Sequence, residues 1–141
     1  MYLVDSNIVA EFRKAPSGRA NPGVVAWAES VSPDALFISV ITLMELEKGV
    51  LSKTRQDPRA GAVLRSWLSE KLLPAFKGRI LPIDAAVVLE NARYHVPDPR
   101  PLADSLIAAT ARVHNLCVVT RNEKDFDPLQ QYGVKLINPW R

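Results

Sequence analysis

The side chains equipped for chemistry in this chain are Asp5, Glu45, Asp104, Asn122 and Asp125. Each lies at the C-terminal end of an expected strand or in a helix beside one, and in a parallel sheet such positions meet at the edge where ligands bind. Several carboxylates gathered within a few ångströms repel one another severely unless protons or a cation intervene. Oxygen donors of this kind suit Mg2+ or Mn2+, and neither His95 nor His114 falls where it would complete a zinc site with them. The chemistry that fits is metal-assisted hydrolysis of a phosphodiester: ions neutralise the phosphate, acidify a bound water and stabilise the leaving oxygen, while the carboxylates hold the ions. Two of the acids also have a plain structural reading. Glu45 can pair with Lys48 on the same helix, and Asp104 can be a first-turn residue favoured by the helix dipole.

Those positions depend on the elements that the hydrophobic pattern predicts. Residues 1–4 are an apolar run that stops on Asp5 and reads as a buried strand, and Ser6 and Asn7 are both suitable N-caps for a helix burying Ile8, Val9 and Phe12. Residues 14–23 form a loop ending in the cap Asn21, with Pro22 at the first position of a short helix. Residues 36–39 make a second strand, and Ser39 caps a helix to about residue 52, with Glu45 at the rim of its apolar stripe and Glu47 turned to solvent. Residues 53–59 are expected to be polar loop, with Asp57 and Pro58 opening an amphipathic helix whose apolar side spans residues 63–76. Residues 80–83 are a third strand, and Asp84 caps a helix over residues 85–94. After a proline-rich turn, a helix over residues 102–114 carries Asp104 in its first turn; residues 116–120 and 134–137 are the remaining strands. Strands alternating with helices, without repeats or low-complexity segments, predict one α/β domain over residues 1–141.

At 141 residues, 48% hydrophobic and 23% charged, the chain has the composition of an ordinary globular domain that buries its core without disulfides or structural zinc. No segment approaches the apolar length of a membrane span and no signal peptide is visible, so a cytoplasmic location is expected. The single Cys117 sits in an apolar run and reads as buried filler rather than a nucleophile. A Gly-rich phosphate loop, a Gly-x-Ser-x-Gly elbow and a Cys/His pair are all missing, and each histidine reads as exposed or capping. A net charge of +3 mildly favours an anionic partner such as nucleic acid, the more so if the acids are gathered in one place.

Val4-Asp5-Ser6-Asn7, Thr42-Leu43-Met44-Glu45-Leu46 with Gly49, the run opened by Ala103-Asp104-Ser105, and Val119-Thr120-Arg121-Asn122 with Asp125-Phe126 resemble, in order, the motifs of PIN domains. With its closing Asn138-Pro139-Trp140, the chain is similar to the VapC-type toxins of bacterial type II toxin-antitoxin pairs. The resemblance implies a three-layer α/β/α fold with a mainly parallel sheet, and a Mg2+- or Mn2+-dependent ribonuclease. It implies that Asp5, Glu45 and Asp104 are the acidic triad and metal ligands, and that Ser6 helps order the site. Where the family commonly has a further acid this chain has Asn122, a weaker ligand; either Asp125 supplies the missing charge or the site holds one firmly bound ion until RNA brings another. The resemblance further implies a homodimer, a cognate VapB-type antitoxin covering the acidic groove, DNA contact only through that antitoxin, and no membrane. RNA would track a basic surface that includes Arg13, Lys14, Lys48, Lys53, Arg55 and Arg121. Two other functions share the pattern: a PIN-like module that no longer cuts and acts with an antitoxin on DNA, and a housekeeping RNA-processing nuclease.

Overall fold

Five short strands, β1 (Tyr2–Val4), β2 (Leu36–Ser39), β3 (Ile80–Leu81), β4 (Cys117–Val119) and β5 (Lys135–Ile137), form a sheet in the order β3-β2-β1-β4-β5, every pairing parallel. The coordinates are a computed structural model that describes residues 1–141. Parallel neighbours need crossovers, and helices supply them. Helices α1 (Ser6–Lys14) and α2 (Pro22–Glu29) lead from β1 to β2. Helices α3 (Val40–Gln56) and α4 (Pro58–Trp67), a π turn (Leu68–Leu72) and α5 (Leu73–Ala75) lead on to β3. Helices α6 (Ala85–Tyr94) and α7 (Leu102–Val113) return the chain to β4, and α8 (Glu123–Phe126) with a 3-10 turn (Asp127–Tyr132) precedes β5. The sheet grows away from β1 in both directions, which makes the C-terminal end of β1 the topological switch point.

The period-two alternation of a strand sorts its side chains between two cores. Leu3 and Val118 pack with Val87, Tyr94 and Ile107 of α6 and α7, whereas Val4, Ile38 and Val119 pack with Ile8, Val24, Val50 and Leu68 on the opposite face. The result is a three-layer α/β/α arrangement around a wholly parallel sheet. Helix starts follow the expected caps: Asn21 accepts from the Gly23 and Val24 amides with Pro22 in the first turn, Ser39 from Ile41, and Asp84 from Val87.

Several boundaries differ from the expectation. Helix α3 continues to Gln56, because the Asp57 amide donates to the Lys53 carbonyl while the Asp57 side chain caps α4, so residues 53–56 are helix rather than loop. The expected long helix after Pro58 is interrupted by the π turn before Pro74, a residue without an N–H to continue the regular ladder. Strand β3 stops at Leu81 because Pro82 lacks a donor for the next rung. Glu47 is not simply solvated: Arg65 of α4 grips both its oxygens, at 2.5 and 2.6 Å. Cys117 is half-buried, at the start of β4 where its amide meets the Met1 carbonyl at the end of the sheet. No helix is long and apolar enough to cross a membrane.

Candidate active site

Asp5 leaves β1 with 4% of its surface exposed, its amide donating to the Val119 carbonyl of β4. It, rather than Ser6 or Asn7, caps α1: its Oδ1 accepts from the Ser6 amide at 2.8 Å. Its Oδ2 accepts from the Thr120 hydroxyl at 2.8 Å and from Asn7 Nδ2 at 3.3 Å. Burial outweighs these donors and holds the Asp5 carboxyl above the usual carboxylate range. The Thr120 hydroxyl also accepts from the Asn122 amide at 3.0 Å and from Asn7 Nδ2 at 3.3 Å, so its one donor and two acceptor positions are all used. Asn7 in turn accepts from the Arg121 amide at 3.2 Å, which ties the end of β1 to the loop after β4.

Glu45 sits on α3, one and a half turns after β2 delivers the chain to the same edge. It makes no ion pair with Lys48, and its Oε1 is buried without a hydrogen-bond partner. Burial, then the nearby Asp5, raises its proton affinity, with Lys48 acting only as a distant opposing charge. Asp104 stands in the first turn of α7 and is pushed up to about 7, by burial first and then by Asp5, Asp125 and Glu45. Asp104 therefore feels the charge of the other three carboxylates. Asn122 Nδ2 donates to both Asp104 Oδ2, at 3.1 Å, and Asp125 Oδ2, at 3.0 Å, so the amide bridges two acids.

The loop that carries Asn122 is anchored from the C-terminus. Glu123 accepts from Asn138 Nδ2 at 2.7 Å and pairs with Arg141, while the Arg121 guanidinium lies over the Trp140 ring at 5.4 Å. A Cβ at Gly23 would collide with the Pro139 carbonyl, so the turn into α2 is built to receive this closing segment. His95 is engaged elsewhere, its Nε2 2.8 Å from the Ser105 hydroxyl and its Nδ1 accepting from the Arg100 amide at 3.3 Å; it is half-buried and locked rather than exposed.

The donor set is chemically suited to a hard divalent cation: clustered carboxylates, one orphaned buried oxygen and no cation paired to any of Asp5, Glu45 or Asp104. No three acids stand close enough to form a closed cage as they lie. Thr120 and Asn7 are the members of this constellation that sequence reasoning did not single out as site residues. A hydroxyl at the end of β4 and an amide beside the β1 acid were the available signals.

A family model described as PIN domain matches residues 2–130. The chain is 36% identical to toxin FitB of Neisseria gonorrhoeae over 146 aligned residues, covering 99% of both proteins. It is 32% identical to VapC ribonuclease Y4jK of Sinorhizobium fredii, over 99% of this chain and 98% of that one. The structure of FitAB bound to an IR36 DNA fragment superposes with a TM-score of 0.85 at 32% identity, over 100% of this chain and 96% of that one.

Proposed function

Because the chain belongs to the PIN-domain family, we propose that it is a Mg2+- or Mn2+-dependent endoribonuclease, the toxin of a type II toxin-antitoxin pair, hydrolysing RNA phosphodiester bonds. The observation that carries this reading is the convergence of Asp5, Glu45 and Asp104 at the switch point of the sheet, with no ion pair to any of the three and with Glu45 Oε1 buried without a hydrogen-bond partner. Asp5, Glu45 and Asp104 are the residues that would hold the ion, which when bound supplies charge neutralisation at the phosphate and an acidified water. Thr120, Asn7 and the Ser6 amide fix the Asp5 oxygens, and the Asn122 amide orients Asp104 while drawing Asp125 toward it. Asp125 then provides the negative charge that Asn122 lacks.

The likeness to toxin FitB and to the DNA-bound FitAB structure supports a partner chain and a DNA contact, and the remaining features belong to the same proposal. A VapB-type antitoxin covers the acidic site and makes the DNA contact, the toxin pairs as a homodimer, the PIN domain extends through residue 141, and the complex works in the cytoplasm.

The test is cleavage of total RNA by the purified chain in Mg2+ or Mn2+. Asp5→Asn and Asp104→Asn keep the circular dichroism of the parent and leave RNA intact. Induced expression halts growth and the antitoxin encoded beside it relieves the arrest, which separates a toxin from a housekeeping nuclease. Wild-type protein that takes up neither ion by calorimetry and leaves structured RNA uncut overturns the enzyme in favour of a non-cutting module.

A further inference from the structure

A strand of RNA whose scissile phosphate lies at Asp5, Glu45 and Asp104 must leave that site across one of the faces beside it. One such face is hollow. A cavity of about 330 Å3 opens next to Glu45 and Asn7, with Leu46, Gly49, Leu64 and Trp67 as its apolar wall and Arg13 at its rim. A second cavity of about 500 Å3 continues it, sharing Arg13, Gly49 and Leu64 and ending at Lys53. Arg13 borders a third hollow with Lys14, Ser17 and Arg19.

Arg13 lines all three hollows and Lys53 the second, and neither has an acidic partner to neutralise it. Unpaired cations leading away from a carboxylate site complement a polyanion, one phosphate of which sits at the acids and the next on the cations. The wall between them offers the half-buried Trp67, a surface on which a base stacks without regard to sequence. Gly49 forms open floor: a Cβ built there meets nothing within 4 Å.

We propose that the groove between α1, α3 and α4 is the path of the RNA strand flanking the scissile phosphate, with Arg13 and Lys53 holding backbone phosphates and the Gly49–Trp67 hollow receiving a base. This rests on the ribonuclease reading and extends it to where the substrate lies. The charges favour an anionic strand over a protein segment as the occupant.

The experiment uses the full chain carrying Asp104→Asn, so that RNA remains intact, and follows fluorescence anisotropy of a labelled 12-nucleotide mixed-sequence RNA from 50 to 200 mM KCl. Adding Arg13→Ala with Lys53→Ala lowers the slope of log affinity against log salt by about 1.4, at about 0.7 for each phosphate contact on a single strand. Adding Gly49→Leu instead weakens binding at least tenfold with that slope retained, and its melting temperature stays at or above the parent's because open space accepts the side chain and leucine favours helix. Lys77→Ala, outside the groove, changes neither quantity. Groove variants that bind RNA like the parent, while wild-type protein cuts RNA, overturn the path alone. Variants that keep RNA but lose the co-expressed antitoxin make the groove a protein site and also overturn it. A parent that binds no RNA, with a wild type that cuts none, overturns the path and the ribonuclease together.

Discussion

Replacing Asp104 by Asn should remove the proposed activity and, in the metal-free protein, add stability. The carboxyl is carried from 3.8 to about 7 by burial and by Asp5, Asp125 and Glu45. At about 1.4 kcal/mol for each pH unit this corresponds to roughly 4 kcal/mol against the charged form. Asp104 keeps part of its surface in water, and screening reduces the expected effect to about 1–2 kcal/mol. Its sign follows from where the proton is held. Below about pH 4 the residue is protonated in both folded and unfolded chains and costs nothing; as pH rises through 7 the folded protein must ionise it against its neighbours, and stability is lost. Asp104→Asn escapes that loss, and its side chain still accepts from Asn122. In EDTA, the variant should melt roughly 3–8 °C above wild type at pH 8, with the difference shrinking toward zero at pH 4. The assay is thermal unfolding by circular dichroism of both proteins across that range, so that glutamates whose pairing stabilises the fold at higher pH, such as Glu11 and Glu90, cancel in the difference. Saturating Mg2+ should raise the wild type more than the variant, through ligand linkage. A difference that is independent of pH, or a variant that melts lower at pH 8, would refute the proposed repulsion.

Asn122→Asp places a further carboxylate between Asp104 and Asp125 in place of the amide that bridges them. It should lower metal-free stability and increase the number of ions bound, read by calorimetry with Mn2+. Thr120→Val removes the donor to Asp5 and the acceptor for the Asn122 amide; urea unfolding should show a loss of about 1–3 kcal/mol, together with slower cleavage. Two helix glycines should respond in opposite directions. Gly49→Ala should stabilise by about 0.5–1 kcal/mol, since nothing opposes the methyl. Gly61→Ala drives a Cβ into the backbone and side chain of Thr54 where α3 and α4 cross, and should cost about 1–3 kcal/mol by the same unfolding assay.

What the sequence discloses about this site is the part that local rules govern. An apolar run ending on Asp5, an acid at the rim of the α3 stripe and Asp104 in a first turn can each be read from a few neighbouring residues, and the structure brings all of them to one edge. The caps at Asn21 and Asp84 are equally local. Side-chain partners far apart in sequence were not legible. The Thr120–Asp5 hydrogen bond spans 115 residues and the Arg65–Glu47 pair 18, and no spacing rule selects either partner. Ser6 and Asn7 are themselves good capping residues, so local rules do not single out Asp5 as the cap of α1. The π turn after Trp67 was hidden for a different reason: its apolar residues still fit the amphipathic pattern of one continuous helix.

The central position of β1 also sets the order in which the molecule comes into being. This strand leaves the ribosome before the other four, yet its partners on one side, Cys117 to Val119, are made about 115 residues later. Pairing over such separations comes late, after the loop-closure entropy has been met. Asp5 must therefore wait, unpaired with Thr120, until residues 104–125 have emerged to join it. On the proposed ribonuclease reading, the topology keeps the cutting site unformed until β4 and the loop after it have been made.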